Sequence, residues 1–232
     1  MRIIAILILL AGIAVLAYPH IAQLLYSRQA DQVIAEFQQE ASKLADDSLQ
    51  EGFDSDMTGF DDLYAAMQAY NREIYENKQK DLKDAFSYQM ASFNLTEWGF
   101  HQNIVGYLSI PRMNVKLPIY LGATGENMRK GAGHLTQTSL PIGGESSNCV
   151  LAAHRGMSTA AMFRDIEKLQ IGDEITVTSV WETLAYRVAE IKVIKPADVQ
   201  EILIQEGRDL VTLITCHPYR HNYQRYVVYC ER

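Results

Sequence analysis

From about Ile104 onward the chain is written as short runs of β-branched and aromatic residues: "VGYLSI", "VKLPIYL", "NCVLAAH", "EITVTSV", "LAYRVAEIKVI", "LVTLITC" and "RYVVYC". Clusters of Gly, Pro, Asn and Ser such as "PIGGESSN" separate them. No other feature constrains the fold as tightly. Runs this short and this often interrupted read as strands, and their spacing points to a sandwich or barrel rather than to βαβ units. One helical pattern, "STAAMFRDIEKL", interrupts them, with Ser158 as its candidate N-cap. In the closing stretch, Val211, Leu213 and Thr215 alternate with Leu210, Thr212 and Ile214, as in a buried or half-buried strand. Pro218 ends that strand, because proline has no N–H to donate and its ring fixes φ. "RYVVYC" then reads as the next strand, so Cys216 and Arg225 fall at the same end of two neighbouring strands.

The N-terminus has a different texture. In "RIIAILILLAGIAVLAY", one charge, Arg2, precedes sixteen apolar or small residues. A membrane-spanning helix needs about 20 such residues and a signal-peptide core about 7–15, so this run lies between the two. The helical sequence that follows favours an uncleaved signal-anchor over residues 1–27. A signal cleaved near Val15 and Ala17, or a buried soluble helix, is the alternative. Arg2 and the α-amino group stay cytoplasmic by the positive-inside tendency, which turns the remainder outward. Residues 28–100 are helical and acidic. Val33, Ile34, Phe37 and Leu44 fall near helical spacing, "EGFDSDMTGF" breaks the pattern, and Leu63, Met67, Tyr70 and Ile74 resume it. This region is expected to be a solvated stalk, with a domain boundary near residue 100 and a β-rich domain over 101–232.

A chain of 232 residues accommodates one domain and an appendage. Its net charge of −7, without a basic stripe, argues against a nucleic-acid partner. Three cysteines are an odd number, so at least one thiol is unpaired within the chain. With no CxxC and no paired Cys/His clusters, a structural zinc site is not expected.

A cysteine acts as a nucleophile only as thiolate, which needs a cationic or proton-accepting neighbour. The histidines are His20, His101, His134, His154, His217 and His221. His154 ends the run "NCVLAA" at a turn, as Cys216 ends its own. His217 follows Cys216 directly, and adjacent strand residues point to opposite faces. By spacing alone, His154 stands between a catalytic and a loop histidine, and Cys216 between a nucleophile and an inert thiol.

"GAGHLTQTSLPIGGESSNCVLAAHRG", "LVTLITCHPY" and "QRYVV" together resemble sortases, the membrane-anchored cysteine transpeptidases of Gram-positive bacteria, over residues 104–232. The resemblance implies a mainly β fold: an eight-stranded barrel with short helices, preceded here by the transmembrane helix and an α-helical stalk or lid region. It also implies a site of Cys216, His154 and Arg225. Cys216 attacks the Thr–Gly carbonyl of an LPxTG-like sorting signal to form a thioacyl-enzyme. His154 moves the protons, and Arg225 holds the substrate backbone or the oxyanion, with no metal or organic cofactor. The implied partners are sorting-signal-bearing surface or pilin proteins and an amine acceptor.

"VGYLSIPRMNVKLPIYLG" with "GAGHLTQTSLPIGG" looks most like class C, the pilin-polymerising group. Class C carries a lid with an Asp-Pro-aromatic motif, and Asp84-Ala85-Phe86 occupies a suitable position with alanine for proline. Two departures stand beside it: "HPYR" follows where the family often has Thr-Pro-Tyr-Gly, and the sequence ends at Arg232 where class C usually continues into a second hydrophobic segment. An anchoring sortase that uses a peptidoglycan precursor amine is the alternative within the family, and a non-catalytic tethered β-domain the alternative outside it. The family's strand order sets the Cys216 strand between those of Cys149 and Cys230. Two strand spacings, about 9–10 Å, exceed disulfide reach, so both thiols are expected to be reduced and inert.

Overall fold

A computed structural model describes residues 2–50 and 59–232. Met1, residues 51–58, which hold most of the glycine- and acid-rich break, and the side chains of Arg2 and of residues 44–50, Leu44 among them, lie outside the described residues. Eight strands form the body of the protein: β1 (Ile104–Ile110), β2 (Val115–Leu121), β3 (Ala132–His134), β4 (Ser147–Ala152), β5 (Glu174–Thr178), β6 (Thr183–Ile194), β7 (Asp209–His217) and β8 (Gln224–Glu231). They close into a barrel in the order β1-β2-β3-β4-β7-β8-β6-β5. Closure removes the free sheet edges that strands so rich in Val, Ile and Tyr would otherwise offer to other chains. The interior is filled by Leu108, Ile119, Leu151, Ile175, Leu213 and Val228, all inaccessible to solvent.

The order β4-β7-β8 has a parallel pair, with Ala152 opposite Ile214, next to an antiparallel one, with Cys216 opposite Arg225. Cys149 and Cys230 both lie opposite Val211 on either side of β7, two strand spacings apart, as the expected order requires.

The helix expected over "STAAMFRDIEKL" is instead a series of turns ending in a 3-10 turn, Ile166–Lys168. Phe163 N–H returns to His154 O at 3.0 Å, Met162 takes a positive φ of 47°, and Arg164 Nη2 donates to the carbonyls of Met157 and Ala160. Folding back onto the end of β4 satisfies backbone groups that a helix would have paired internally.

Two long helices precede the barrel. α1 (Arg2–Gln50) runs without interruption from the apolar run into the acidic region. Ile3, Ile4, Ile8, Leu9 and Leu16 are exposed, as suits a segment solvated by lipid. Further on, Ala30, Ile34, Phe37 and Ala41 recur at helical spacing and are buried, with α1 lying against β1 and β2. Tyr26 Oη donates to Lys130 O at 2.9 Å, and Gln23 Oε1 accepts from Ala161 N at 2.6 Å. A solvated stalk is therefore not what this half of α1 forms: its apolar stripe is seated on the barrel.

α2 (Gly59–Glu76) begins with Asp61 and Asp62 in its first turn, where carboxylates favour the helix dipole. It buries Leu63, Met67 and Ile74. Asn71 fixes it to the barrel by taking Leu140 N at 2.7 Å and giving Leu140 O a bond of 3.3 Å. After α2 the buried Gln79 bonds to Gln137 O at 2.8 Å and to Ile204 N at 2.6 Å, which brings the following segment over the β7–β8 rim.

Candidate active site

Cys216 and Arg225 face each other across the β7–β8 ladder, and Arg225 Nη1 lies 3.9 Å from Cys216 Sγ. β4 runs parallel to β7 with Ala152 opposite Ile214, so His154, two residues past the end of β4, follows the last pair as Cys216 does in β7. All three residues predicted from sequence therefore meet at one rim. His154 and Cys216 line the same cleft of about 620 Å³ with Arg155, Tyr219 and Arg220. Tyr18 and Pro19, near the end of the apolar run in α1, close the cleft on one side. Nothing in the sequence spacing linked the apolar N-terminal run to this rim.

Asp84, Ala85 and Phe86, the residues of the expected lid motif, lie over Arg225 at this rim. Arg225 Nε donates to Asp84 Oδ1 and Nη2 to Asp84 Oδ2, each at 2.7 Å, in a two-pronged pairing. Asp84 also begins the 3-10 turn Ala85–Ser87: its Oδ2 accepts from Phe86 N at 3.2 Å and its carbonyl from Ser87 N at 2.9 Å. Ala85 is wholly buried among Ala123, Met128, Ile214 and Val227. Phe86 lies over the guanidinium with its ring centre 4.8 Å from Cζ, and its ring is 6.3 Å from that of His154. Further along, Gly122 adopts φ +85°, and a Cβ there would come within 2.7 Å of Ala91 N, so the covering segment passes where only glycine fits.

In this arrangement Arg225 is spent. Nη1 donates to Asn222 O at 2.8 Å and to Gln224 O at 2.9 Å, and the other prongs hold Asp84. Burial works against its charge, but the Asp84 carboxylate outweighs burial and raises the Arg225 pKa. Burial pushes the Cys216 thiol above its ordinary 9.0, with Arg225 and Arg155 opposing and Asp84 reinforcing the rise. Burial, then the nearby Arg129 charge, lowers His154 below its ordinary 6.5. Thiol and imidazole are thus neutral together near pH 7.

Of the other histidines, His221 lines the same cleft beside Tyr219 and Arg220, His20 lines a separate hollow against β2, and the rest do other work. His134 is buried, bonds to Ser139 O at 2.9 Å, and is lowered to about 4 by burial. His101 is exposed and pairs with Glu40. His217 turns to Arg155, with Nδ1 2.8 Å from Nη1. Cys149 and Cys230 are buried, and burial drives both thiols far above the ordinary range.

A family profile described as "Sortase domain" matches residues 108–232. The chain belongs to the sortase family. Sortase D of Bacillus subtilis (strain 168) is 28% identical over 130 residues, which cover 55% of this chain and 63% of that protein. Among solved structures, sortase C1 of GBS Pilus Island 1 superposes with a TM-score of 0.74 at 33% identity, covering 88% of this chain and 91% of that one. Streptococcus pneumoniae sortase C gives a TM-score of 0.72 at 31% identity, covering 87% and 96%. This sortase therefore shares its eight-stranded barrel with pilin-type class C enzymes. Sortases are cysteine transpeptidases, and the N-terminal apolar helix is long enough to cross a bilayer.

Proposed function

We propose that this sortase is anchored by α1 with its barrel outside the cell membrane, and that it cleaves an LPxTG-like sorting signal between Thr and Gly. The acyl group passes through a thioester on Cys216 to an amine, for which a pilin lysine is the favoured acceptor. The observation that carries this reading is the Cys216–Arg225 cross-strand pair at the same rim as His154, with Asp84 occupying Arg225. The names of the pilin-type relatives support the choice of acceptor.

The chemistry follows from the three groups. When Asp84 and Phe86 withdraw, Arg225 regains a free fork for the substrate backbone or the developing oxyanion, where one donor is worth about 2.7–4 kcal/mol. The Cys216 proton passes to His154, and the thiolate attacks the threonine carbonyl. Imidazolium at His154 then protonates the departing glycine amine. The incoming amine gives a proton back to His154 as it attacks the thioester and releases Cys216. Since the neutral pair dominates, only a small fraction of the enzyme is thiolate–imidazolium at any instant.

Cleavage of a quenched LPxTG peptide tests this with Cys216→Ala against Cys149→Ala. Cys216→Ala abolishes turnover and Cys149→Ala retains it; equal activity in both ends the reading. Trapping the thioester and offering it a pilin-lysine peptide or a peptidoglycan-precursor amine then identifies the acceptor.

A further inference from the structure

The residue that follows each member of the triad belongs to a second cluster. Arg155, His217 and Tyr226 come directly after His154, Cys216 and Arg225, and they meet one another and Glu167 of the Ile166–Lys168 turn. Arg155 is the hub. Its Nη2 lies 2.8 Å from Glu167 Oε1, and its Nη1 donates to His217 Nδ1 at 2.8 Å. The same Nη1 reaches the main-chain carbonyl of Cys216 at 3.4 Å. Its guanidinium carbon sits 5.3 Å from the Tyr226 ring centre, and the His217 ring 5.5 Å from the same ring. The Arg155 side chain is only 4% exposed, which is unusual for arginine.

A buried ion pair is a poor source of stability, because an apolar group of the same shape serves as well or better. What it supplies here is a fixed grip on the Cys216 main chain and a fixed charge lining the same cleft as Cys216. The covered site makes that charge matter. Arg225 is neutralised by a largely buried Asp84, whereas Glu167, the carboxylate partner of Arg155, is 54% exposed and screened by water. Arg155 is thus the less neutralised cation beside Cys216.

We propose that Arg155 is a positioning residue for Cys216, held by Glu167, His217 and Tyr226, which fixes the main chain carrying the sulfur and supplies a second permanent positive charge to its thiolate. This rests on the transpeptidase reading and deepens it. His217 takes part as a neutral imidazole whose Nδ1 accepts from Arg155. Its pKa lies below the ordinary value because of burial and the Arg155 charge, against the pull of Glu167. Arg155 also joins Arg225 in drawing the Cys216 thiol downward against burial.

The test is the pH profile of Cys216 alkylation by iodoacetamide in the full chain, resolved by residue with mass spectrometry. Arg155→Gln is expected to move the thiol midpoint up by about one unit and to slow alkylation about tenfold at pH 7. Arg155→Lys keeps the charge and a near wild-type midpoint, yet lowers kcat for the sorting peptide with KM unchanged, because an ammonium cannot hold Glu167 with one nitrogen while another holds the Cys216 carbonyl and His217. A role confined to stability moves neither midpoint nor the kcat–KM balance between the two variants. An Arg155→Gln profile that superposes on wild type overturns the proposal. If Arg155→Gln does not fold, Glu167→Gln at its exposed position serves. Removing the carboxylate leaves the Arg155 charge unshared, so the midpoint drops and alkylation at pH 7 rises about twofold. An unmoved midpoint there overturns the proposal as well. Alkylation needs no sorting peptide, so a wild-type enzyme inert towards peptide would sink the transpeptidase reading while leaving this measurement decisive.

Discussion

Asp84→Ala removes the carboxylate that holds the covering segment onto Arg225. The wild-type pair has two bonds of 2.7 Å, with side chains 6% exposed at Arg225 and 20% exposed at Asp84. Truncating one member of a fully buried pair costs about 3–5 kcal/mol. The exposure of Asp84 lets water recover part of that, which leaves about 2–3 kcal/mol, within the range for hydrogen bonds to charged groups. The cost falls on the covered arrangement: Asp84 lies outside the barrel strands, and Arg225 left unpaired regains hydration only when Phe86 moves off it. At 1.36 kcal/mol per factor of ten, the ratio of open to covered enzyme rises about 30- to 150-fold.

Alkylation of Cys216 reads this ratio, provided opening is fast relative to the chemistry, because the rate then scales with the open fraction. Cys149 and Cys230, both buried with thiols raised by burial, are internal controls that stay unmodified. Asp84 also raises the Cys216 thiol pKa, so its removal shifts the titration midpoint downward in addition. Measuring the plateau rate above the midpoint separates the two effects, since the midpoint reports charge and the plateau reports access. The plateau in Asp84→Ala is expected to rise at least about tenfold, a conservative floor on the shift worked above. Asp84→Asn, which keeps the shape without the charge, falls between. A plateau within a factor of about two of wild type would mean that the Asp84–Arg225 pair does not hold the site shut.

Three other measurements follow from the same geometry. With Cys216 raised above 9.0 and His154 lowered below 6.5, kcat/KM for the sorting peptide rises with pH up to the His154 pKa, stays level, and falls above the Cys216 pKa; a descending limb with its midpoint well below 9.0 would contradict it. Phe86→Ala leaves the Asp84–Arg225 pair in place, so its alkylation plateau is expected to rise by about threefold to tenfold, less than in Asp84→Ala, as loss of a ring over a guanidinium implies; equal plateaus in the two variants would assign the closure to the ring. His134 is lowered from 6.5 to about 4 by burial, so an unfolded chain binds its proton more readily than the native one. That stability is complete above pH 6.5 and is lost progressively down to about pH 4, amounting to about 3 kcal/mol. Urea unfolding across that range checks it, and His134→Gln with an undiminished pH slope would refute it.

Strand parity explains what the sequence disclosed and what it concealed. Alternation in "LVTLITC" and the stop at Pro218 were enough to set Cys216 and Arg225 at one rim, because antiparallel neighbours joined by a short loop leave little choice of register. Asp84 was legible only by resemblance: no periodicity connects a residue before the barrel to Arg225, 141 positions later. The seating of α1 was open to reading in Ala30, Ile34, Phe37 and Ala41, a stripe too apolar for a solvated stalk, but the sequence does not say which surface covers it. The turns at 158–169 imitate helical spacing, and only the return of Phe163 N–H to His154 O distinguishes them. The parity rule that excluded His217 as a partner for Cys216 holds, since the imidazole turns to Arg155. Applied to β7 and β8, the same rule sends His217 and Tyr226 to one side. His217 and Tyr226 alternate away from Cys216 and Arg225 within β7 and β8, so two members of the second cluster follow from the strands that set the first. Arg155 joins them from the turn after β4 through its bond to His217 and its place over the Tyr226 ring.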